Sequence, residues 1–214
     1  MHYILTASHA GNKERLITLQ WTVESVIKLN LPEYTHVISI SGNNFEYPGV
    51  RVYHSPEPLK QFEHFAKIYE LLKGDIKDDD TVTMLDDDDL LLAPPPGQIV
   101  RGSQWLPRSD AEFPLDLVNA TSDYPYFERD CEIINDFSGY TVTGAMFKEY
   151  FNTREQKSPL SDSKLISSLL NILLTLEDTK FMNFADEHGA VTPERPFVFH
   201  RVWSGAGEWQ QVFM

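Results

Sequence analysis

"TVTMLDDDDLLLAPPP" (81–96) places four consecutive carboxylates, Asp86 to Asp89, between an apolar, β-prone run and Leu90-Leu91-Leu92. The preceding Thr-Val-Thr-Met-Leu reads as a buried strand, and the triple proline forbids its continuation. Two unit charges about 6 Å apart repel by about 3 kcal/mol at an effective dielectric of about 20. Such a cluster needs open water, basic partners or a cation.

Upstream, "HYILTAS" (2–8) reads as a first strand. In "NKERLITLQWTVESVIKLN" (12–30), Leu16, Leu19, Val23, Val26, Ile27 and Leu29 recur at near-helical spacing, and Asn12 can cap the start. "THVISISG" (35–42) and "VRVYHS" (50–55) read as strands. A helix fits 59–73 through Phe62, Phe65, Ile68, Tyr69 and Leu72, with Gly74 ending it. This order, with the 81–86 run as fourth strand, predicts an α/β fold: a mixed, mostly parallel sheet with helices on both faces. Ligands of such sheets bind at the carboxyl ends of the strands, where Asp86 to Asp89 lie together with Thr6, Ser8 and His9.

Downstream the pattern loosens. The stretch 103–137 mixes aromatics, acids and prolines and reads as short strands with a long loop. "GYTVTGAMFKEYF" (139–151) predicts a strand entering a short helix through Gly144, and "SDSKLISSLLNILLTLE" (161–177) a longer helix capped by Ser161 or Asp162. "RPFVFHRVW" (195–203) reads as a last strand before a glycine-bearing tail. No linker composition interrupts the chain, so one domain over 1–214 is expected.

The 214 residues are 42% apolar and 12% aromatic, a globular composition. With 18 basic against 32 acidic residues the net charge is −14, which opposes non-specific binding to nucleic acid or anionic membranes. A nucleotide can still bind through a metal and local dipoles. The single cysteine, Cys131, cannot form an internal disulfide and fits a reducing compartment; with no signal peptide and no membrane span, a cytoplasmic location is expected.

Several readings of the acidic cluster compete. A solvated turn is the plainest, but apolar residues flank the run on both sides. A calcium loop fails because Leu90 occupies the third ligand position and the glycine is missing. A phosphatase-type nucleophile would follow a first strand, not a fourth. A divalent metal held by one or two carboxylates, with phosphate oxygens and water completing its shell, remains.

"VTMLDDDDLLLAPP" resembles the metal-binding D-x-D segment of GT-A fold glycosyltransferases, and "ASHAGNKERLITLQWTVESVIKLNLPEYTHVISISGNN" is similar to that fold's first strand, helix and second strand. More narrowly, the chain resembles viral glycosyltransferase domains that build capsid glycans, from about 3 to 203. The resemblance implies a UDP-sugar donor (UDP-L-rhamnose or UDP-glucose), a glycan or glycoprotein acceptor and Mn²⁺ or Mg²⁺. It implies a nucleotide-binding part over about 1–93, an acceptor-binding part over about 94–214, and a place within a longer multidomain protein. Asp86, Asp88 and His200 are then the metal ligands; Thr6, Ser8, His9, Arg15, Asp86 and Asp87 contact the donor. Gly144, Trp105 and Tyr126 meet the acceptor, and Asp162 is the base of an inverting transfer. Two departures stand out: Ser161 replaces the first acid of the family's pair, and "SISG" (39–42) stands where many members read uracil with an aspartate.

Each match has a plainer counterpart. Asp162 is an ordinary helix cap, His200 an ordinary strand-end histidine, Arg15 a solvated cation, and the aromatics core residues. Glu177-Asp178 offers a literal acidic pair, but at a helix end where the dipole opposes it. The sequence therefore predicts a metal-dependent glycosyltransferase. A metal-dependent nucleotidyltransferase and a non-catalytic, cation-dependent carbohydrate-binding module stand as alternatives.

Overall fold

A computed structural model describes residues 1–108, 124–155 and 178–200. The first half runs β1 (His2–Ala10), α1 (Lys13–Lys28), β2 (Tyr34–Gly42), β3 (Val50–Ser55), α2 (Gln61–Leu72) and β4 (Thr81–Asp86). It continues through β5 (Asp89–Leu91), β6 (Ser103–Pro107), α3 (Pro125–Asp130), β7 (Cys131–Asn135), β8 (Thr141–Thr143), α4 (Gly144–Glu155) and β9 (Val198–His200). Residues 178–187, between α4 and β9, are helical.

The larger sheet has the order β3-β2-β1-β4-β8. Its first four strands are parallel, and β8 closes the edge antiparallel to β4. The mostly parallel sheet expected from the sequence is therefore present. In register, Leu5 stands beside Val37 and Met84 on one face, and Thr6 beside Ile38 and Leu85 on the other. Alternation along each strand gives each face its own helices. Phe62, Phe65, Ile68, Tyr69 and Leu72 of α2, with Phe147 and Phe151 of α4, pack on the Leu5 face. Leu19, Val23 and Val26 of α1 pack on the other, against Ile4, Ile38 and Ile40. Each such buried side chain contributes about 1.5–3 kcal/mol.

The first helix starts at the cap the sequence places, and the second at a capping box. Asn12 Oδ1 accepts the Arg15 backbone N–H at 2.9 Å, opening α1. The Glu63 carboxylate accepts the Lys60 backbone N–H at 2.7 Å, opening α2. At the end of β2, Gly42 has φ +99°, and a Cβ there would lie 2.7 Å from the carbonyl oxygen of Ala10, its partner in β1. Only glycine allows this approach.

The chain departs from expectation just after β4. The acidic run does not end in a loop: Asp89–Leu91 is a strand of a second sheet, ordered β5-β9-β6-β7. The segment read as short strands and a loop supplies β6, α3 and β7 to this side. The expected helix over 161–177, with Ser161, Asp162 and Glu177, lies outside the described residues, as does the chain after 200.

Candidate functional site

The β4–β5 turn sends four adjacent carboxylates into different surroundings. Asp86 ends β4 on the α2 face, where the Gln61 side-chain amide donates to its carboxyl and its own N–H donates to Ser138 Oγ at 3.0 Å. Asp87 turns toward α1. Its Oδ2 accepts from Ser8 Oγ at 2.7 Å, its Oδ1 from the Arg15 guanidinium at 3.0 Å, and its carbonyl from Thr22 Oγ1 at 3.0 Å. Asp88 is half-buried, 3.7 Å from the same guanidinium. Asp89 is wholly buried, and the antiparallel register of β5 with β9 sets it opposite His200. Its Oδ1 accepts from His200 Nδ1 at 2.8 Å, while its Oδ2 has no hydrogen-bond partner among the described residues.

Burial and mutual repulsion govern the charges here. Burial, reinforced by the charges of Asp89, Asp88, Asp87 and Asp136, pushes the Asp86 carboxyl well above the usual carboxylate range. Burial and the charges of Asp89 and Asp87 raise Asp88 to about 7, against the opposing pull of Arg15 and His200. Burial disfavours the His200 cation, but the Asp89 hydrogen bond and the surrounding carboxylates outweigh it and raise the ring to about 9. The site thus holds excess negative charge that it resists expressing. A cation relieves this directly.

Asp88, Asp89 and His200 each offer a ligand atom, and those atoms lie within 4.8 Å of one another. The residues fit a divalent ion: two hard carboxylate donors, one imidazole, and a buried Asp89 oxygen lacking a partner among the described residues. With Nδ1 engaged by Asp89, Nε2 is the ring nitrogen His200 can present, an arrangement typical of metal-bound histidines.

A cleft of about 490 Å³ opens over this cluster at the carboxyl ends of β1 and β4. Asp86, Asp87, Asp88 and His200 form one side, and Ser8, His9, Asn12 and Arg15 line it from β1 and the start of α1. Gln61 and His64 of α2 border it as well.

The structure gathers Ser8, His9, Arg15, Asp86, Asp87, Asp88 and His200 as the sequence suggested, and redistributes their roles. Asp86 is not part of the metal-capable cluster, and Asp89 takes its place: the chain bends back into β5 immediately, turning Asp89 toward β9. Asp87 lines the cleft with its carboxylate bonded to Ser8 and to the Arg15 guanidinium. Thr6 is fully buried and shares a 3.0 Å hydrogen bond with His36, away from the cleft.

The acceptor residues fall elsewhere. Gly144 donates its N–H to the Asp80 carbonyl at 2.7 Å, at the end of β4 opposite Asp86. A Cβ on it would lie 1.9 Å from the Lys77 carbonyl oxygen, so close packing explains this glycine. Trp105 and Tyr126 are buried with Leu90, Leu92, Phe127 and Phe199, and the Trp105 ring stacks on Phe127 at 5.9 Å. They build the core beneath β5. Asp162 lies outside the described residues. The sequence reading missed Asp89, Gln61 and His64. Gln61 and His64 could have been found as the polar positions of the first turn of α2; Asp89 had no local signal.

No family model matches the chain, and no curated protein matches it in sequence. Among solved structures, the fold is similar to the 2-C-methyl-D-erythritol 4-phosphate cytidylyltransferase of Francisella tularensis, with 10% identity, a TM-score of 0.51, and coverage of 91% of this chain and 90% of that one. A 4-diphosphocytidyl-2C-methyl-D-erythritol synthase aligns over 98% of this chain and 95% of its own, at 10% identity and a TM-score of 0.49. The 2-C-methyl-D-erythritol 4-phosphate cytidylyltransferase of Thermus thermophilus aligns at 11% identity and a TM-score of 0.42, over 89% of this chain and 88% of that one. At 10% identity the likeness to the Francisella enzyme is one of fold. The mixed α/β fold with a mostly parallel sheet, as the sequence led us to expect, is shared with that structure. The glycosyltransferase expectation is corrected: the similar solved chain is a cytidylyltransferase, which falls in the nucleotidyl-transfer class held above as an alternative. Among the described residues, no helix is long and apolar enough to cross a membrane.

Proposed function

We propose that the chain is a metal-dependent nucleotidyltransferase that moves a nucleotidyl group from a nucleoside triphosphate to a phosphorylated acceptor. The observation that carries this reading is the Asp88, Asp89 and His200 cluster, with Arg15 beside it, at the mouth of the strand-end cleft. Carboxylates so close together suit a polyphosphate only through a shared cation, and Mn²⁺ accepts both their oxygens and an imidazole. Mg²⁺ would serve with more retained water. The likeness to a cytidylyltransferase fold supports the same class.

In the transfer, an oxygen of the acceptor phosphate attacks the α-phosphorus of the triphosphate. The bond from that phosphorus to the bridging oxygen breaks, and pyrophosphate leaves with the electron pair. A phosphate dianion attacks without losing a proton, so no general base is required. A bound divalent ion would neutralise charge on the phosphate oxygens. Arg15, held by Asp87, offers a fixed positive charge from the first turn of α1, whose dipole also favours an anion. Asp89 holds the His200 ring so that it presents Nε2.

The test incubates the protein with each of the four common nucleoside triphosphates, a panel of sugar and polyol phosphates, and Mn²⁺. Pyrophosphate release that needs both metal and acceptor, and that disappears in Asp88→Asn, is the expected result. Failure of every triphosphate to yield pyrophosphate, with the metal bound, would sink the proposal.

A further inference from the structure

Beside the metal-capable cluster lies a second set of polar side chains that the transfer just described does not use. His9, at the end of β1, is exposed on the cleft. Its Nδ1 lies 2.8 Å from Ser41 Oγ. Ser41 Oγ is in turn 3.2 Å from His64 Nε2, and His64 Nδ1 is 2.8 Å from Ser39 Oγ. Ser39, Ser41 and His64 are each about 1% exposed. Sheet register explains the arrangement: His9 is the neighbour of Ser41 in the β1–β2 pairing, and both face α2, which brings His64.

Burying three polar side chains costs free energy unless each finds a partner, and here they partner one another in a line that ends at the cleft. A solvated surface histidine needs no such backing. We propose that Ser41 and His64 form a positioning relay that holds His9 with Nε2–H directed into the cleft, where it donates to the terminal phosphates, the future pyrophosphate, of the bound nucleotide. This rests on the nucleotidyl-transfer reading for the identity of the ligand. His9 stands beside Asn12 and Arg15 as a hydrogen-bond donor, complementing the carboxylates.

The relay works through proton placement. A hydroxyl between two imidazoles donates to one and accepts from the other, so the tautomer of His64 dictates that of His9. With His64 Nε2–H donating to Ser41 and the Ser41 hydroxyl donating to His9 Nδ1, the remaining proton of a neutral His9 sits on Nε2. Burial is the largest cause lowering His64, to about 4, so the inner ring stays neutral and able to play this part.

The test measures binding of inorganic pyrophosphate in the presence of saturating Mn²⁺, by calorimetry on the full chain. His9→Ala and Ser41→Ala should each weaken pyrophosphate binding about tenfold, the scale of a lost hydrogen bond to a charged group. Ser41→Thr, which keeps the hydroxyl, should restore affinity to within about twofold. The double variant His9→Ala/Ser41→Ala should bind no more weakly than His9→Ala alone, since Ser41 acts through His9. Affinity for Mn²⁺ alone should not change. Additive losses, a neutral Ser41→Ala, or a wild-type protein that binds Mn²⁺ but no pyrophosphate would each overturn the relay. Relay-dependent pyrophosphate binding without turnover of any triphosphate would leave the relay standing and remove the transferase reading.

Discussion

Asp89 and His200 face each other across adjacent strands, Oδ1 to Nδ1 at 2.8 Å, although 111 positions separate them in the chain. The pair joins the acidic turn after β4 to the last described strand and fixes the ring nitrogen that His200 presents.

This pairing predicts an order of effects on Mn²⁺ affinity. Asp88→Asn and His200→Ala should each weaken binding by at least about tenfold. Asp89→Asn should lose about 10–100-fold, as expected for a ligand or its orienting partner. Asp86→Asn, outside the cluster, should change affinity by less than about threefold, since it alters only nearby charge. Calorimetric titration of the four variants checks this; an Asp86 effect larger than that of Asp89 would reverse the assignment.

Metal affinity should climb with pH over an unusually high range. Asp88 is raised to about 7 and His200 to about 9, so at neutral pH an entering cation displaces protons from both. The apparent Mn²⁺ affinity should rise from about pH 6 to about 9 and then level. In His200→Ala the part of the rise that belongs to the imidazole should disappear, leaving the carboxylate part alone. Equal profiles for the two proteins would remove His200 from the ligand set.

Stability without metal should respond to pH with opposite signs through the buried histidines and through the acidic cluster. Burial lowers His36 to about 3; burial, with a smaller effect of neighbouring positive charge, lowers His2 and His64 to about 4. The unfolded chain binds these protons first, so the contribution of these three histidines is full above about 6.5 and falls as pH drops toward 4. Asp88 acts in reverse. Its folded value of about 7 exceeds the unfolded 3.8, so it costs stability progressively as pH rises between them. Mn²⁺ should therefore raise the melting temperature more at about pH 7.5 than at about pH 5, which thermal scans can read. A larger shift at the lower pH would contradict the sign.

Gly144→Ala should destabilise the fold without touching the cleft. The added methyl would meet the Lys77 backbone oxygen at 1.9 Å, and backbone cannot move aside as a side-chain tip can. The expected cost is about 1–3 kcal/mol, seen in denaturant melts. Mn²⁺ and pyrophosphate affinity, measured where the variant is folded, should match wild type. Weakened ligand binding with unchanged stability would return Gly144 to a site.

The sequence made the first half of this molecule legible because its signals are local. Helical spacing and Asn12 placed α1 over 12–30, against Lys13–Lys28 observed; α2 was expected over 59–73, against Gln61–Leu72. The acidic turn was also visible as a candidate site, since four like charges on a strand end have few other uses. Which carboxylate does what was not visible. The role of Asp89 depends on pairing with β9, and β5 is three residues long, too short for periodicity to reveal. Trp105 and Tyr126 misled for a related reason: composition shows an aromatic but not which side of a sheet it covers.

Asp88 lies in the turn at the exit of the parallel sheet, whereas Asp89 and His200 sit on adjacent strands of the second sheet. A cation shared among them is therefore a removable cross-link, closing a loop of more than one hundred residues that includes β6, α3, β7, β8 and α4. Clamping so long a loop restricts the disordered chain far more than the folded one, much as a disulfide does. Chelation would then act beyond the cleft, first by letting β9 fray from β5, so that the region around 198–200 becomes the earliest point of proteolytic attack.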